Sequence, residues 1–452
     1  MKLIIVPHSA NKQSVKLWLC ATDTEAPPAD FAIRIEQAGD FPVPQQAWRA
    51  ITVGGVLEPS ERRTFVQLIT AEGLQPGTRY SATAHGIRVR FSTLPAVLPR
   101  EGERPFTVCL GSCFSIGSGK GVEVGRAVGN LPEHLMPDLK ILCGDQVYLD
   151  FPAFLLGVPF HARGLASNFL RKYLRNWGDT GGFQSLLAIG SSYFTSDDHE
   201  FWNNYPNPAT IISNTWSSAG RKSLREAAFP LFEDFQCEQP GDVGRTRAFR
   251  VGSLSFLVVE TRALREPGDE RFMSPARLSE VLDWIGRLDG PGVLVVGQPL
   301  FEAPVNWFQR RFVDRSLADY TQYQELARAL LRGTHSVLIL TGDVHYARIA
   351  STTLLGTPGT PEITEVIASP LALVAGAPKF PPDAPSRFPP KAVSGVVQMP
   401  VKTFQEGKRK GDNFAVLQFT EVPGRVKVRI RHWYFRDPLG SQPGPEMTLS
   451  LF

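Results

Sequence analysis

Six short apolar runs, each ending in a polar loop, constrain the fold of this 452-residue chain more than any other feature of its sequence. They are FTVCLGSC (106–113), LKILCGDQVY (139–148), SYFTSDDHE (192–200), LSFLVVETR (254–262), GVLVVGQP (292–299) and SVLILTGDVH (336–345). Runs this uniformly apolar are typical of strands buried on both faces, in a sheet that helices cover. Helical patterns at 277–288 and 320–332 fit between them. The sequence therefore predicts an α/β fold.

Three of the loops carry carboxylates directly after a predicted strand. They contain Asp145 in GDQVY, Asp198 in DDHE and Asp343 in GDVH. In such sheets ligands bind beyond the carboxyl ends of the strands, so the three loops are expected to meet in one site. Like charges gathered in one pocket are unfavourable unless a cation neutralises them or some of them take up protons. The pattern predicts a site for two metal ions, roughly 3.5–4 Å apart, of the kind that activates water for attack on phosphorus.

Each loop by itself also has an ordinary structural interpretation. An aspartate after a strand is often a helix N-cap, DDHE alone is compatible with an exposed acidic turn, and GDVH alone is compatible with a tight turn. A Ser/His/Asp triad is less favoured, because Ser112 and Ser369 both lack the GxSxG elbow. The coincidence of three such loops, in this order, favours the metal site.

The order of the motifs GSC, GDQVYLD, DDHEFWNNY, ETR, GDVHY and ASP resembles that of the PhoD-like (alkaline phosphatase D) family of metallophosphoesterases. The similarity runs from about 106 to about 435 of the chain. It implies a calcineurin-like phosphoesterase core, which is a two-sheet β-sandwich flanked by helices. It also implies that a small β-sandwich precedes this core.

The resemblance assigns six residues to two metal ions. The implied ligands of the first ion are Cys113, Asp145, Tyr148 and His345, with Asp145 bridging to the second ion. A tyrosine ligand favours ferric iron at the first position. Asp198 and Asp343 are the implied ligands of the second ion, expected to be Ca²⁺ or another divalent ion such as Mn²⁺, Zn²⁺ or Mg²⁺.

Three further residues are expected to act on the substrate. His199, beside a predicted ligand, is the candidate for orienting the scissile phosphate or protonating the leaving oxygen. Arg262 is expected to hold phosphate oxygens by bidentate hydrogen bonds, and Asn204 to contact the substrate. Two positions depart from the expected pattern, since Glu260 stands where the PhoD-like family more often has aspartate and Gln298 stands where many metallophosphoesterases have a metal-binding histidine. Because a neutral amide binds a divalent metal ion more weakly than histidine does, Gln298 predicts a looser second metal site.

The first 98 residues predict a separate β domain. Alternating stretches at 14–21, 30–36 and 64–70 have the period of half-buried strands. LQPGTRY followed by FSTLP resembles the end of a fibronectin type III sandwich, with Tyr80 as the tyrosine that anchors its corner. The expected division is residues 1–98 for a fibronectin III- or Ig-like sandwich and 104–452 for the catalytic domain.

Composition excludes several other classes of protein. With 42% hydrophobic and 20% charged residues the chain is globular, and a net charge of +4 gives no support for nucleic-acid binding. No apolar run approaches the ~18 residues of a membrane span. The N-terminal residues lack the features of a secretory signal, so the expected location is cytoplasmic, or periplasmic or secreted if a leader has been removed. The sequence makes no prediction about oligomeric state.

These patterns predict a phosphoric ester hydrolase that cleaves phosphate mono- or diesters, from small molecules or phospholipids, by attack of metal-bound hydroxide. The Pro-rich segment 369–400 is a candidate lid. The alternative is a non-catalytic metal-binding protein that recognises a partner through its β-sandwich. Histidines in the acidic loops argue against it, because structural calcium sites need none.

Overall fold

The computed structural model describes residues 1–53, 56–57, 63–116, 121–151, 162–239, 241–306, 314–354, 359–372, 383–409, 411–434 and 442–452. Within that part, the N-terminal 92 residues form strands and one helical turn, Gln45–Ala47. The strands are β1 (Lys2–Ala10), β2 (Ser14–Thr24), β3 (Phe31–Ile35), β4 (Gly39–Val43), β5 (Arg49–Ala50), β6 (Thr52–Val53), β7 (Val56–Leu57), β8 (Arg63–Glu72), β9 (Arg79–Ala84) and β10 (Ile87–Ser92).

Two antiparallel sheets make up most of this N-terminal part. Their strand orders are β1-β2-β8-β5 and β10-β9-β3-β4, and apolar side chains from both meet in one core that includes Leu17, Ile33 and Val89. Strand β9 alternates between buried and half-buried residues, as the period-two pattern predicts. The Tyr80 hydroxyl accepts a hydrogen bond of 2.8 Å from the backbone N–H of Gln75, the contact that a tyrosine corner makes.

The remaining elements alternate between strands and helices. The strands are β11 (Phe106–Gly111), β12 (Leu139–Cys143), β13 (Ser191–Thr195), β14 (Arg247–Val251), β15 (Leu254–Val258), β16 (Gly292–Val295), β17 (Val337–Thr341), β18 (Ala347–Thr353), β19 (Glu362–Ile367), β20 (Arg387–Phe388), β21 (Met399–Pro400), β22 (Lys402–Arg409), β23 (Asn413–Val422), β24 (Arg425–Tyr434), β25 (Gln442–Pro443) and β26 (Met447–Leu451). The helices are α1 (Gly121–Gly129), α2 (Ala162–Trp177), α3 (Phe183–Leu187), α4 (Ser218–Gln236), α5 (Pro275–Gly286) and α6 (Tyr323–Arg332). The predicted α/β class is confirmed.

Two seven-stranded sheets form the centre of this part of the chain. One has the order β13-β12-β11-β23-β24-β25, with β26 also paired to β24, and the other has the order β14-β15-β16-β17-β19-β18-β22. Side chains of both sheets, among them Val108, Leu254 and Leu338, share one buried core, so the sheets pack face to face. Strands β11, β12 and β17 are buried at every position, which explains their uniformly apolar sequences.

Helices cover the outer faces of the two sheets. Residues of α2 and α4, such as Phe169 and Leu231, pack in one cluster with Leu142 of β12, and the same cluster includes residues of β1 and β2. Residues of α5 and α6, such as Val281 and Leu326, pack against Ile339 of β17. No helix in the described ranges has both the length and the apolar character needed to cross a membrane.

The predicted helix at 277–288 begins earlier in the structure. The Ser274 side chain accepts a hydrogen bond from the N–H of Arg277, and Pro275 occupies the first turn, where its missing N–H and fixed φ suit a helix start. The apolar periodicity alone did not locate this boundary, because the capping residues precede the first buried position.

Parallel pairing brings the polar loops to one place. Strands β11, β12 and β13 are parallel neighbours in one sheet, and β15, β16 and β17 are parallel neighbours in the other. Their carboxyl ends therefore lie on common edges of the two packed sheets, and the loops that follow them build the candidate site.

Candidate metal centre

Left-handed backbone is concentrated in the loops of the site. Cys113, Asp145, Asn204, Asp343 and His345 all have φ between 59° and 68°, a region that non-glycine residues rarely adopt. Strained backbone of this kind persists where surrounding contacts fix it, often at functional sites. Here the loops hold one another, since the N–H of Cys113 donates to the carbonyl of Gly144 at 3.1 Å and that of Phe114 donates to the carbonyl of Asp145 at 2.7 Å.

Two glycines allow these loops to approach closely. A Cβ on Gly144, which has φ +84°, would lie 2.5 Å from Cβ of Asp197. A Cβ on Gly342 would lie 2.4 Å from Cβ of Ser112 and 2.9 Å from the carbonyl oxygen of Cys143. In both GD sequences, the position before the aspartate lies so close to a neighbouring loop that only glycine, which has no side chain, fits there.

The first group of potential metal ligands consists of Cys113, Asp145 and His345, whose donor atoms all lie within 4.8 Å of one another. Sγ of Cys113 is 3.5 Å from Oδ2 of Asp145, and the hydroxyl of Tyr148 is 3.4 Å from Nε2 of His345. Ser369 supports the group, because its hydroxyl donates to Sγ of Cys113 at 3.3 Å and accepts from the N–H of His345 at 3.0 Å. All four residues predicted for the first ion are brought together.

Burial controls protonation in this group. It raises the pKa of the Cys113 thiol, with Asp145 adding to the shift, and it raises the pKa of the Tyr148 hydroxyl, with Cys113 adding to the shift. Burial also lowers the pKa of His345 to about 4, so this imidazole is neutral at pH 7 and can donate a lone pair. Thiolate and phenolate forms in such a place require a cation beside them.

The second group consists of Asp145, Asp198 and His199. The backbone N–H of His199 donates to Oδ1 of Asp145 at 3.1 Å, and the backbone N–H of Asn204 donates to Oδ2 of Asp198 at 2.5 Å. Nδ1 of His199 lies 2.7 Å from Oδ1 of Asp150. Asp145 belongs to both groups and is fully buried, which is the position that a bridging ligand requires.

The third group consists of Asp197, Asp314 and Asp343. The Arg262 guanidinium lies against it, with Nη1 2.5 Å from Oδ2 of Asp314 and 3.1 Å from Oδ1 of Asp197. Burial raises the pKa of Asp343 to about 7, with the neighbouring carboxylates adding to the shift, and burial also raises the pKa of Asp197. The three carboxylates of this group thus outnumber the one arginine, Arg262, that contacts them among the described residues.

Hydrogen bonds orient the amide of Gln298, which stands in place of the expected histidine. Its Nε2 donates to Asp314 at 2.6 Å and to Asp343 at 3.2 Å, while its Oε1 accepts from Arg265 at 2.7 Å. The amide therefore presents a donor to the carboxylates, and its oxygen is occupied by an arginine. That the second metal site is weaker stays a prediction.

Two glutamates, the buried Glu200 and the half-buried Glu260, position the loops. Glu200 accepts hydrogen bonds from the N–H groups of Asp145, Gln146 and Asp197, at 2.8, 2.6 and 2.9 Å. Burial raises its pKa to about 7, against the effect of these bonds. Glu260 accepts from the N–H groups of Ser196 and Arg262 at 2.8 and 2.7 Å, so the longer side chain still ties two loops together.

The structure places the remaining predicted residues as follows. Asp343 groups with Asp197 and Asp314, whereas Asp198 groups with Asp145 and His199, so the two predicted ligands of the second ion fall in different groups. Arg262 is fully buried and engaged with aspartates, and Asn204 is 6% exposed. Their roles as ligands or substrate contacts stay predictions. The candidate lid at 369–400 includes 373–382, which lie outside the described residues.

Four acidic residues of the site were not singled out from the sequence. Asp197 and Glu200 belong to the DDHE motif, and Asp150 ends the GDQVYLD motif. Both motifs are recognisable in the sequence, but these three residues have no predicted role there. Asp314 follows no apolar strand and carries no motif. Only the fold brings it to the site.

The donor set fits metal ions. Both carboxylate oxygens of Asp197 are buried without a hydrogen-bond donor among the described residues, although Arg262 is within ion-pair range. Thiol, phenol, imidazole and carboxylate groups meet around Asp145, and such a mixture of soft and hard donors suits a transition metal beside an oxygen-preferring ion. The residues can therefore accommodate the predicted pair of ions.

No family profile matches the chain, and no curated protein matches it in sequence. Among solved structures, the chain is similar to the purple acid phosphatase PPD1 from seeds of yellow lupin (Lupinus luteus). The two share 10% sequence identity with a TM-score of 0.59, and the match covers 99% of this chain and 74% of the lupin chain. At this identity the likeness concerns the fold, so the chain has a purple acid phosphatase-type fold of mixed α/β structure.

Proposed function

We propose that this protein is a metal-dependent phosphoesterase that hydrolyses phosphate mono- or diesters, related to the PhoD-like enzymes that its motifs resemble. One observation carries the proposal: fully buried Asp145 is shared by two groups of potential ligands, at the carboxyl ends of parallel strands. The purple acid phosphatase-type fold supports the same conclusion. Two neighbouring cations need a carboxylate that both can bind. A purely structural loop has no need of a buried carboxylate in this position.

The residues divide between the two ions by chemistry. Cys113, Tyr148 and His345 would hold a ferric ion with Asp145. The carboxylates at 198 and 343 fall in separate groups of potential ligands but interact electrostatically, and we propose that together they would hold Ca²⁺ or another divalent ion. When bound, such a pair supplies Lewis-acid activation of the phosphoryl group and a hydroxide nucleophile at neutral pH. Arg262, buried among aspartates, limits the repulsion between them.

His199 is the residue we assign to the leaving group. Its Nδ1 is held by Asp150, which leaves Nε2 as the ring atom that can meet a substrate. The ring packs 4.2 Å from the ring of Tyr148, and its backbone N–H is fixed by Asp145. A histidine held in this way can orient the ester and transfer a proton to the departing oxygen.

The test measures hydrolysis of a matched aryl phosphate monoester and diester. The protein is chelated and then reloaded with iron, calcium, manganese or zinc, alongside Asp145→Asn and a surface control, Asp289→Asn. We expect metal-restored turnover in the wild type and the control, and loss of both metal and turnover in Asp145→Asn. Metal binding without hydrolysis of either ester would instead support the non-catalytic alternative. The preferred ester sets the substrate class.

A further inference from the structure

A cavity of about 380 Å³ adjoins the candidate metal centre. Its lining includes Tyr148, a predicted ligand, together with Val147 and Phe151 from the same loop. Tyr148 belongs both to the cavity wall and to the predicted ligand cluster, so the cavity lies directly beside the metal centre. Its volume lies in the range of pockets that bind small molecules.

One face of helix α2 forms another part of the lining. Five of its residues line the cavity, namely Asn168, Arg171, Lys172, Arg175 and Asn176. They follow the spacing i, i+3, i+4, i+7 and i+8, which is a single helical face. All five are polar, whereas Phe169 and Tyr173 on another face are buried in the core. The polarity of this face is therefore directed at the cavity.

Charge in the cavity is of one sign. Its described lining contains three cationic side chains and no carboxylate. This is a local excess, since the whole chain has 48 basic and 44 acidic residues. Lys172 is used by the fold, because its Nζ donates to the carbonyls of Leu149 and Phe151. Arg171 and Arg175 are exposed, and in the described part of the chain no carboxylate lies within ion-pair distance of either.

From this geometry we infer that the cavity is a subsite for a second anionic group, carried by the alcohol portion of the substrate and bound by Arg171 and Arg175. The inference rests on the proposed function and deepens it. The scissile phosphate belongs at the ligand groups, so the basic face beyond Tyr148 receives the part of the ester that leaves. Ile116, Val147 and Phe151 supply apolar contact for the carbon skeleton between the two anions. The preferred substrates are phosphate esters with a second phosphate or carboxylate.

Two arginines at i and i+4 suit this role. Their Cβ atoms are roughly 6 Å apart on the helix, so both guanidinium groups can reach one anion or two neighbouring oxygens. Arginine binds carboxylate and phosphate through paired hydrogen bonds. Each such bond to a charged group changes affinity by about tenfold or more.

The kinetic test compares phenyl phosphate with 4-(carboxymethyl)phenyl phosphate and 4-(phosphonomethyl)phenyl phosphate, on the metal-loaded enzyme. These esters have similar leaving groups and differ in the second anion. We expect the anionic esters to have kcat/KM at least about tenfold above that of phenyl phosphate. The double variant Arg171→Gln/Arg175→Gln should bring the kcat/KM of the anionic esters down to that of phenyl phosphate. Comparing the carboxylate and phosphonate esters identifies which anion the subsite prefers.

A charge-matched control excludes a general electrostatic effect. The double variant Arg34→Gln/Arg287→Gln removes the same two charges from exposed side chains in other parts of the chain. It should behave as the wild type. The inference is overturned if both double variants lose the preference for anionic esters equally. It is also overturned if the wild type has the same kcat/KM for all three esters.

Equilibrium binding separates this inference from the proposed function. The dissociation constants of benzylphosphonate and 4-carboxybenzylphosphonate are measured by calorimetry, with the wild type and the Arg171/Arg175 double variant. Preference for the carboxylated ligand that depends on the two arginines supports the subsite, even if no ester is turned over. Equal binding of both ligands by the wild type rejects the subsite, whatever the turnover.

Discussion

Oδ1 of Asp150 lies 2.7 Å from Nδ1 of His199, and its other carboxylate oxygen accepts the N–H of Asn203 at 2.7 Å. Burial lowers the pKa of His199, but Asp150 and the site carboxylates outweigh this effect and hold that pKa well above its ordinary value. Burial likewise raises the pKa of Asp150, yet His199 and the hydrogen bonds keep it below its ordinary value. The pair therefore fixes one ring nitrogen and orients the other.

We expect Asp150→Asn to slow turnover without removing metal. An amide carries no charge to stabilise the protonated ring, and its single acceptor oxygen cannot serve both the Nδ1–H of His199 and the N–H of Asn203, so kcat should fall about 10- to 100-fold. Metal content and KM should stay near wild-type values, because Asp150 is in none of the ligand groups. Steady-state kinetics and metal analysis check this, with Asp289→Asn as the surface control. An unchanged kcat would show that His199 needs no partner.

Ser369→Ala should weaken metal binding more than it affects folding. The hydroxyl contacts Sγ of Cys113 and the N–H of His345, so its loss frees two ligands of the first group. Loss of such a supporting contact lowers metal affinity by about 10- to 100-fold. A chelator-competition titration measures the affinity, with exposed Ser394→Ala as control. Equal affinities in the two variants would contradict a supporting role for Ser369.

Cys113, Asp145 and His345 could be predicted because each lies within a few residues of the end of an apolar run. Parallel strands in a covered sheet end on a common edge, so sequence position implied spatial proximity. The two-sheet arrangement was implied by the family resemblance alone, because the runs themselves predicted only buried strands in a sheet that helices cover. For these residues, the position in the local sequence pattern is therefore enough to predict the position in the folded chain.

Asp314 and Arg262 show where this reasoning stops. Asp314 precedes Arg315 and Ser316 in a segment without a strand, and it enters the site through contacts with Arg262 and Gln298. The sequence identified Arg262 as a cation after a strand and suggested phosphate as its partner. The structure surrounds it with three aspartates instead. Side-chain type indicates which chemistry is available, whereas the choice among partners depends on packing between distant segments.

Gly342→Ala should destabilise the protein. The added Cβ would lie 2.4 Å from Cβ of Ser112 and 2.9 Å from the carbonyl oxygen of Cys143, and neither can move without shifting a loop. Overpacking of this kind costs about 1–3 kcal/mol. Gly286→Ala is the matched control, because a Cβ added there, at the end of α5, would meet nothing within 4 Å and alanine favours a helix. Thermal unfolding should show a lower Tm for the first variant only.

The last prediction concerns acid stability and His432, which lies outside the candidate site. Burial lowers the pKa of His432 to about 4, and its Nε2 lies 2.9 Å from the carbonyl oxygen of Ile367. The ordinary histidine pKa is about 6.5. The unfolded chain therefore takes up this proton before the folded chain does as pH falls. The stabilisation from a neutral His432 is fully present above pH 6.5 and is lost between pH 6.5 and about 4.

His432→Gln keeps an N–H donor for Ile367 and removes the titration, so it should flatten the fall in stability with pH. By pH 5 the wild type should have lost about 2 kcal/mol more than this variant, relative to pH 7. Urea unfolding at both pH values measures the difference. His134→Gln, at an exposed position, should follow the wild-type curve. Parallel curves for wild type and His432→Gln would mean that the folded protein protonates His432 as readily as the unfolded chain does.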